Sequence, residues 1–224
     1  MTDSHRRRSI PVAGAFLVTV GMCVGAGCAS TTTKAPVQAE MLVVDHDVAL
    51  PGTTSRFDYQ SLDPAGHTLW IAHLGDNTVI AIDTASLKVT GTITGIAGVH
   101  GVLAVPDRNV VYATATGTNE IVAIDATTRQ VTKHASTGPF PDGLAFDPDD
   151  NLLLVSNKTA GTISVHDAQT LDRVRTIKLG GETGNVAYDP TTRHAYAATL
   201  PPNAYGRVRP WHRHDHQHHQ ASRL

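Results

Sequence analysis

Short apolar runs separated by turn residues dominate the chain beyond its N-terminal segment. The runs are rich in valine, isoleucine, threonine and alanine, and clusters of proline, glycine, aspartate and asparagine bound them. Such runs are typical of β-strands, because β-branched side chains fit a pleated sheet. In the clearest stretch the pattern predicts four strands, at Val102–Val105, Val110–Thr116, Glu120–Ile124 and Gln130–Ala135.

The same unit recurs with a constant spacing of 42 residues. Two sets of turn residues mark this period, namely Pro64, Pro106, Pro148 and Pro190, and Asp83, Asp125 and Asp167. With proline near 5% of residues, the proline coincidences would arise by chance about once in ten thousand trials. The aspartates have a physical role, since a turn carboxylate accepts backbone N–H groups two or three residues further on. The hydroxyl three positions later, on Ser86, Thr128 or Thr170, can return a contact.

Four short strands in a repeating unit favour a β-propeller over the other all-β architectures. A sandwich needs no fixed period, and solenoid coils are usually shorter, whereas propeller blades of four strands take about 40–45 residues. We therefore predict an all-β fold, an incomplete β-propeller of four-stranded blades with about three and a half blades of 42 residues. The propeller is expected over residues 41–206.

Three segments resemble YVTN-type β-propeller repeats. They read LWIAHLGDNTVIAIDTASLKV at 69–89, VYATATGTNEIVAIDATTRQV at 111–131 and LLVSNKTAGTISVHDAQTLDRV at 153–174. The asparagine of that family's pattern falls on His73, Ala115, Asn157 and Thr199, so Asn157 matches it literally. The resemblance implies a propeller and an envelope location. It also implies that Met41–Leu50 forms an outermost strand that closes the ring on the last blade.

The N-terminus is predicted to be an export signal over residues 1–27. Arg6, Arg7 and Arg8 precede an uncharged stretch, and Cys28 follows Gly-Ala-Gly. A basic region, an apolar region and small residues before a cleavage point describe a signal peptide. The end of this segment resembles a bacterial lipobox, which implies lipidation of Cys28 and a membrane-anchored envelope lipoprotein. Cleavage after Ala29, giving a secreted or periplasmic protein, and an uncleaved anchor helix are the alternatives.

Residues 28–40 are polar and contain proline, which suits a tether. At the other end, the strand expected to finish in aspartate has Arg209 instead. We predict a disordered His/Arg-rich tail over 207–224, interpreted as an out-of-frame end. A metal-binding tail and a solvated tail without function are the alternatives. The metal-ligand candidates in the tail are His212, His214, His216, His218 and His219.

Charge argues against nucleic acid as a partner. Residues 28–206 carry 11 Lys+Arg against 18 Asp+Glu, so the predicted domain is acidic and has no basic stripe. No serine-nucleophile, zinc-protease, dinucleotide or phosphate-loop motif occurs in the sequence, and we predict no cofactor. The expected partners are the membrane, through lipidated Cys28, and a protein or a second copy at exposed blade edges.

The repeat also identifies a candidate ligand site. Propeller sites usually lie at one mouth of the central channel, where the innermost strands begin, and the period places Asp58, His100, Asp142 and Gly184 there, with Asn185 beside the last. Carboxylates and an imidazole at such a place can bind a cation or a polar ligand. Alternatively, these side chains cap strand ends. His73, Trp70 and Tyr112 are expected to be structural.

These observations predict a non-enzymatic, envelope-associated binding or scaffold protein. The alternative is a truncated relative of a propeller enzyme, such as a lactonase, a lyase or a quinoprotein dehydrogenase. Such an enzyme would hold a metal or polar ligand at the channel mouth.

Overall fold

The computed structural model describes residues 44–200 and 204–208, which form fifteen β-strands. The strands fall into four antiparallel sheets, each a simple meander in chain order. Blade 1 contains β1 (Gln60–Asp63), β2 (Thr68–His73), β3 (Thr78–Asp83) and β4 (Lys88–Ile93). Blade 2 contains β5 (Val99–Val105), β6 (Val110–Ala115), β7 (Glu120–Asp125) and β8 (Val131–Ser136).

The second half of the described chain repeats this arrangement. Blade 3 contains β9 (Pro141–Asp147), β10 (Leu152–Asn157), β11 (Thr162–Asp167) and β12 (Arg173–Lys178). Blade 4 contains β13 (Glu182–Asp189), β14 (His194–Leu200) and β15 (Ala204–Val208). Single 3-10 turns at Leu74–Asp76 and Pro106–Arg108 are the helical elements in this part of the chain. The prediction of an incomplete propeller with about three and a half blades is confirmed.

The core consists of three apolar layers, one between each pair of neighbouring blades. Alternate residues of a strand point to opposite faces of its sheet, so each blade contributes to the layer on either side. Trp70 of blade 1 is buried against Val111 and Ala113 of blade 2. Tyr112 of blade 2 is buried among Leu153 and Val155 of blade 3, and the third layer joins blades 3 and 4 in the same way. Both aromatic residues therefore have the structural role that was expected.

The turns repeat as closely as the strands. The Asp125 carboxylate accepts the backbone N–H groups of Thr127 and Thr128, and Asp167 accepts those of Gln169 and Thr170. Asp83 accepts both the N–H and the hydroxyl of Ser86. The predicted aspartate turns are confirmed. The four period prolines also occupy equivalent places, each directly after the first strand of its blade.

Two predicted boundaries are wrong. Residues 44–50, the described part of the expected closing strand Met41–Leu50, form no strand, since this segment makes no ladder with any strand edge in the described chain. The expected tail begins too early, because Arg207 and Val208 belong to β15, where they pair with Tyr196 and Ala195.

The signal, tether and Cys28 predictions lie outside the described residues, as do the histidines from His212 to His219. In the described part of the chain, no helix combines the length and the apolar character that a membrane span requires.

Candidate functional site

The predicted mouth coincides with a β-bulge at the same place in blades 2, 3 and 4. In each innermost strand the pairing register skips two residues, namely His100–Gly101, Asp142–Gly143 and Gly184–Asn185. A bulge interrupts the ladder and redirects side chains, which is why bulges occur next to functional sites. The period thus places His100, Asp142 and Asn185 at one structural feature, and Asp58 lies just before β1.

Hydroxyl groups of the second strand satisfy the bulged backbone. Thr114 Oγ accepts the Gly101 N–H at 2.7 Å and donates to the Asp142 carbonyl at 3.0 Å. Ser156, the same position one repeat later, accepts the Gly143 N–H at 2.8 Å. Thr114 therefore links the bulge of blade 2 to that of blade 3, because Asp142 belongs to the next blade.

The bulge glycines allow close approach between blades. A Cβ atom on Gly101 would lie 2.3 Å from the Asp142 carbonyl oxygen, and one on Gly143 would lie 3.2 Å from the Asn185 Cα. Without a shift of the backbone, only glycine fits at position 101. The packing of adjacent innermost strands therefore fixes where His100 and Asp142 stand.

Asp58 and His100 face each other at the mouth. His100 Nε2 lies 3.9 Å from Asp58 Oδ2, and the side chains are 12% and 18% exposed, respectively. His100 Nδ1 lies 2.8 Å from the Gly98 carbonyl oxygen, which can only accept, so Nδ1 carries the proton of this bond. Arg56 donates to Asp58 Oδ2 at 2.9 Å. Asp58 thus has a cationic partner on one side and an imidazole on the other.

Asp142 is the carboxylate of this group whose pKa is raised. Burial raises its pKa above the ordinary value and repulsion from Asp58 adds to this shift, whereas the charges of His100, Lys158 and Arg56 oppose it. Its carboxylate oxygens accept no hydrogen bond from any residue in the described part of the chain. Burial also raises the pKa of the Tyr59 phenol, and the charges of Asp142 and Asp58 raise it further. Tyr59 therefore remains a protonated donor beside two carboxylates.

An aromatic and cationic rim completes the site. The Phe140 ring meets His100 edge-on with a centroid separation of 5.2 Å, and Lys158 Nζ lies 5.5 Å from the Phe140 centroid. Phe140 has a φ of +59°, and its N–H donates to Asn119 Oδ1 at 2.9 Å. A left-handed conformation is unusual for a bulky residue and often marks a functional position.

The structure brings three of the four predicted mouth residues together. Asp58, His100 and Asp142 share one electrostatic neighbourhood. Asn185 lies on the adjacent innermost strand, with its backbone against Gly143 and its side chain exposed. Sequence reasoning missed Arg56, Tyr59, Phe140 and Lys158. One signal was available, because Arg56, Gly98, Phe140 and Glu182 share one position of the repeat, and this position changes its chemistry in every blade.

A second polar group consists of Ser55, His73 and Asp76. These are the residue types of a hydrolase triad, but their hydrogen bonds are arranged differently. Ser55 Oγ lies 2.9 Å from both His73 Nε2 and Asp76 Oδ1, so the serine hydroxyl donates to the carboxylate. His73 is 1% exposed and stacks on Phe57 at 4.1 Å. Asp76 also accepts the N–H of Thr53. The group fastens the segment before β1 to blade 1, which agrees with the structural role expected for His73.

Across residues 44–200 and 204–208, no three His, Cys, Asp or Glu side chains are grouped closely enough to hold a metal ion. The channel-mouth group offers instead two carboxylates, an imidazole, a phenol and two cationic side chains. It is therefore suited to contacts with a polar organic ligand.

Comparison with known proteins supports the fold. No protein-family model matches the chain, and no curated protein matches it in sequence. A structure of hydrazine synthase from Kuenenia stuttgartiensis is similar with a TM-score of 0.63 and 20% identity, over 72% of this chain and 49% of that chain. A structure of the mitotic checkpoint complex is similar with a TM-score of 0.64 and 18% identity, over 72% and 50%. The chain thus has a β-propeller fold and spans about half the length of these structures.

Proposed function

We propose that this protein is an exported, lipid-anchored β-propeller of the cell envelope that binds a polar ligand at its channel mouth without transforming it. The position of Cys28 after an apolar segment and Gly-Ala-Gly supports the anchor. The resemblance of the blades to YVTN-type repeats supports the envelope location. The fold provides a rigid frame, and the mouth provides the binding groups.

The observation that carries the binding proposal is the state of Asp142. This carboxylate is half-buried, lies near a second carboxylate and receives no hydrogen bond from the described residues. A protonated amine of a ligand would supply the hydrogen-bond donor that Asp142 lacks and would offset the cost of burying its charge. The Tyr59 hydroxyl and the Phe140 ring stand beside it as a donor and an apolar wall. The ligand class that fits is therefore a polar molecule or peptide carrying a cationic amine.

Three small probes of equal length test the charge preference. Butylammonium, butyramide and butyrate are titrated into the protein, and the amide signals of Gly101 and Gly143 are followed by NMR. We expect saturable shifts with butylammonium alone, with a Kd that rises about tenfold in Asp142→Asn because a charge-assisted hydrogen bond is lost. Asp107→Asn is the matched control, since Asp107 is exposed at the opposite end of β5.

Two outcomes would contradict the proposal. One is the absence of a saturable response to any of the three probes. The other is binding of butyrate in preference to butylammonium, which would assign the site to Arg56 and Lys158 rather than to the carboxylates.

A further inference from the structure

The free face of blade 4 exposes a residue that its equivalents bury. Residues 70, 112, 154 and 196 occupy one position of the repeat, and the first three, Trp70, Tyr112 and Leu154, are 1%, 2% and 6% exposed. Tyr196 is 37% exposed. The first three side chains pack against the blade that follows theirs, whereas no described strand follows blade 4. Ala187, which pairs with Tyr196 across the sheet, is exposed as well.

The free face of blade 1 shows the complementary difference. The residues equivalent to Leu69 in the next two blades are Val111 and Leu153. Both are fully buried against the preceding blade, whereas Leu69 is only half-buried. Its cross-strand neighbour Leu62 is 55% exposed. The outer part of this face is already covered, since Ile80 and Ile82 are buried. The open surface is therefore an apolar patch on the two inner strands, formed by Leu62, Leu69 and Ile71.

We infer that the open face of blade 4 packs on the open face of blade 1 of a second copy of this chain. The same two faces already form the three interfaces within one chain. In the interface between blades 2 and 3, Tyr112 packs with Leu153 and Val155. Two repeat units away from these positions, Tyr196 would meet Leu69 and Ile71 of the second copy. The contact thus continues an existing type of interface and buries both apolar patches.

Such a contact is heterologous, because it joins two different surfaces, and a two-fold axis repeats it and closes the ring. Each copy has three four-stranded blades and a three-stranded fourth in its described part, so two copies give eight blade positions, within the range of about four to eight blades typical of propellers. In that ring Asn185 of one copy adjoins Asp58 of the other, so the second copy would extend the polar mouth. The inference depends on the two faces and stands independently of the ligand proposed above.

The oligomeric state of the full chain, kept in a mild detergent, is the first test. Sedimentation equilibrium is expected to show a dimer whose Kd rises at least about 100-fold in Tyr196→Glu and in Leu62→Glu, since each buries a charge in an apolar contact. Val174→Glu is the matched control, because Val174 is 38% exposed on the outermost strand of blade 3. Circular dichroism is expected to show that each variant retains its β-sheet signal.

The orientation of the contact is tested by disulfide cross-linking in a Cys23→Ser, Cys28→Ser background. A mixture of the Tyr196→Cys and Leu62→Cys chains is expected to cross-link, whereas each chain alone is not. Three results would overturn the inference. They are a monomer at about 100 μM, a concentration at which even a weak micromolar dimer forms, a dimer unaffected by both glutamate variants, and cross-linking of Tyr196→Cys with itself.

Discussion

The aspartates of the outer turns and the aspartate of the channel mouth behave in opposite ways. Hydrogen bonds from Ser86 lower the pKa of Asp83, and those from Thr128 lower the pKa of Asp125. At the mouth, burial raises the pKa of Asp142. Folding thus favours the charged form of the turn carboxylates and disfavours the charged form of Asp142. Asp142 costs folding free energy, and a titratable group with such a cost is a candidate for a functional role.

The two regions also differ in how closely they repeat. Positions 83, 125 and 167 are all aspartate, because each must accept the N–H groups of the same turn. Positions 58, 100, 142 and 184 are aspartate, histidine, aspartate and glycine. In the first three blades the turn position keeps its chemistry, and the mouth position does not. The backbone around the mouth is nevertheless as constrained as that of the turns, and variants can test this directly.

The largest effect is expected from Gly101→Ala. The new Cβ would lie 2.3 Å from the Asp142 carbonyl oxygen, so two innermost strands must separate. Over-packing of this kind costs about 3 kcal/mol, measured as the free energy of unfolding in urea. Gly184→Ala is the matched control at a bulge, because a Cβ there has its nearest neighbour at 3.8 Å. Equal stabilities of the two variants would refute the close packing of the mouth.

A smaller loss is expected from Thr114→Val. This substitution keeps the shape of the side chain but removes the hydroxyl that bonds the Gly101 N–H and the Asp142 carbonyl. The site is fully buried, so both backbone groups lose a partner, at a cost of about 2 kcal/mol. Thr92→Val, at an exposed position on β4, serves as the control in the same urea titration. A Thr114 variant as stable as the control would mean that the hydroxyl does not tie the blades together.

The features that recur in every repeat could be predicted from the sequence. The blade number, the four-strand order and the carboxylate turns follow from the spacing of prolines and aspartates, since each turn depends on local hydrogen bonds that recur with the period. The meeting of Asp58, His100 and Asp142 also followed, because equivalent positions of adjacent blades are neighbours in space.

What could not be predicted depends on contacts outside the repeat. Arg56 precedes β1, and its bond to Asp58 requires the segment that Ser55, His73 and Asp76 fasten to blade 1. Lys158 reaches the mouth through its contact with Phe140, on the loop before β9, and through the effect of its charge on Asp142. The strand expected over Met41–Leu50 failed for the same reason, since ring closure depends on which edge is available and not on local pattern.

The smallest expected effect is a pH-dependent change in the free energy of unfolding. It separates the turn from the mouth most clearly, because removing the carboxylate should have opposite signs at Asp125 and at Asp142. In Asp125 the lowered pKa means that the carboxylate stabilises the fold above a pH of about 4, and that this contribution is lost as the pH falls. In Asp142 the raised pKa means that the folded state binds the proton more tightly. Its cost is fully present above that raised pKa and disappears as the pH falls toward about 4.

At neutral pH we therefore expect Asp125→Asn to lower the free energy of unfolding and Asp142→Asn to raise it. Both differences from the parent should shrink at a pH of about 2.5, where the aspartates are largely protonated in both states. Asp107→Asn, on an exposed turn, is the control and should leave stability unchanged at both pH values. Urea titrations at the two pH values measure all three variants. If Asp142→Asn destabilised the protein at neutral pH, the mouth carboxylate would be a structural cap like those of the turns, and its assignment to ligand binding would be lost.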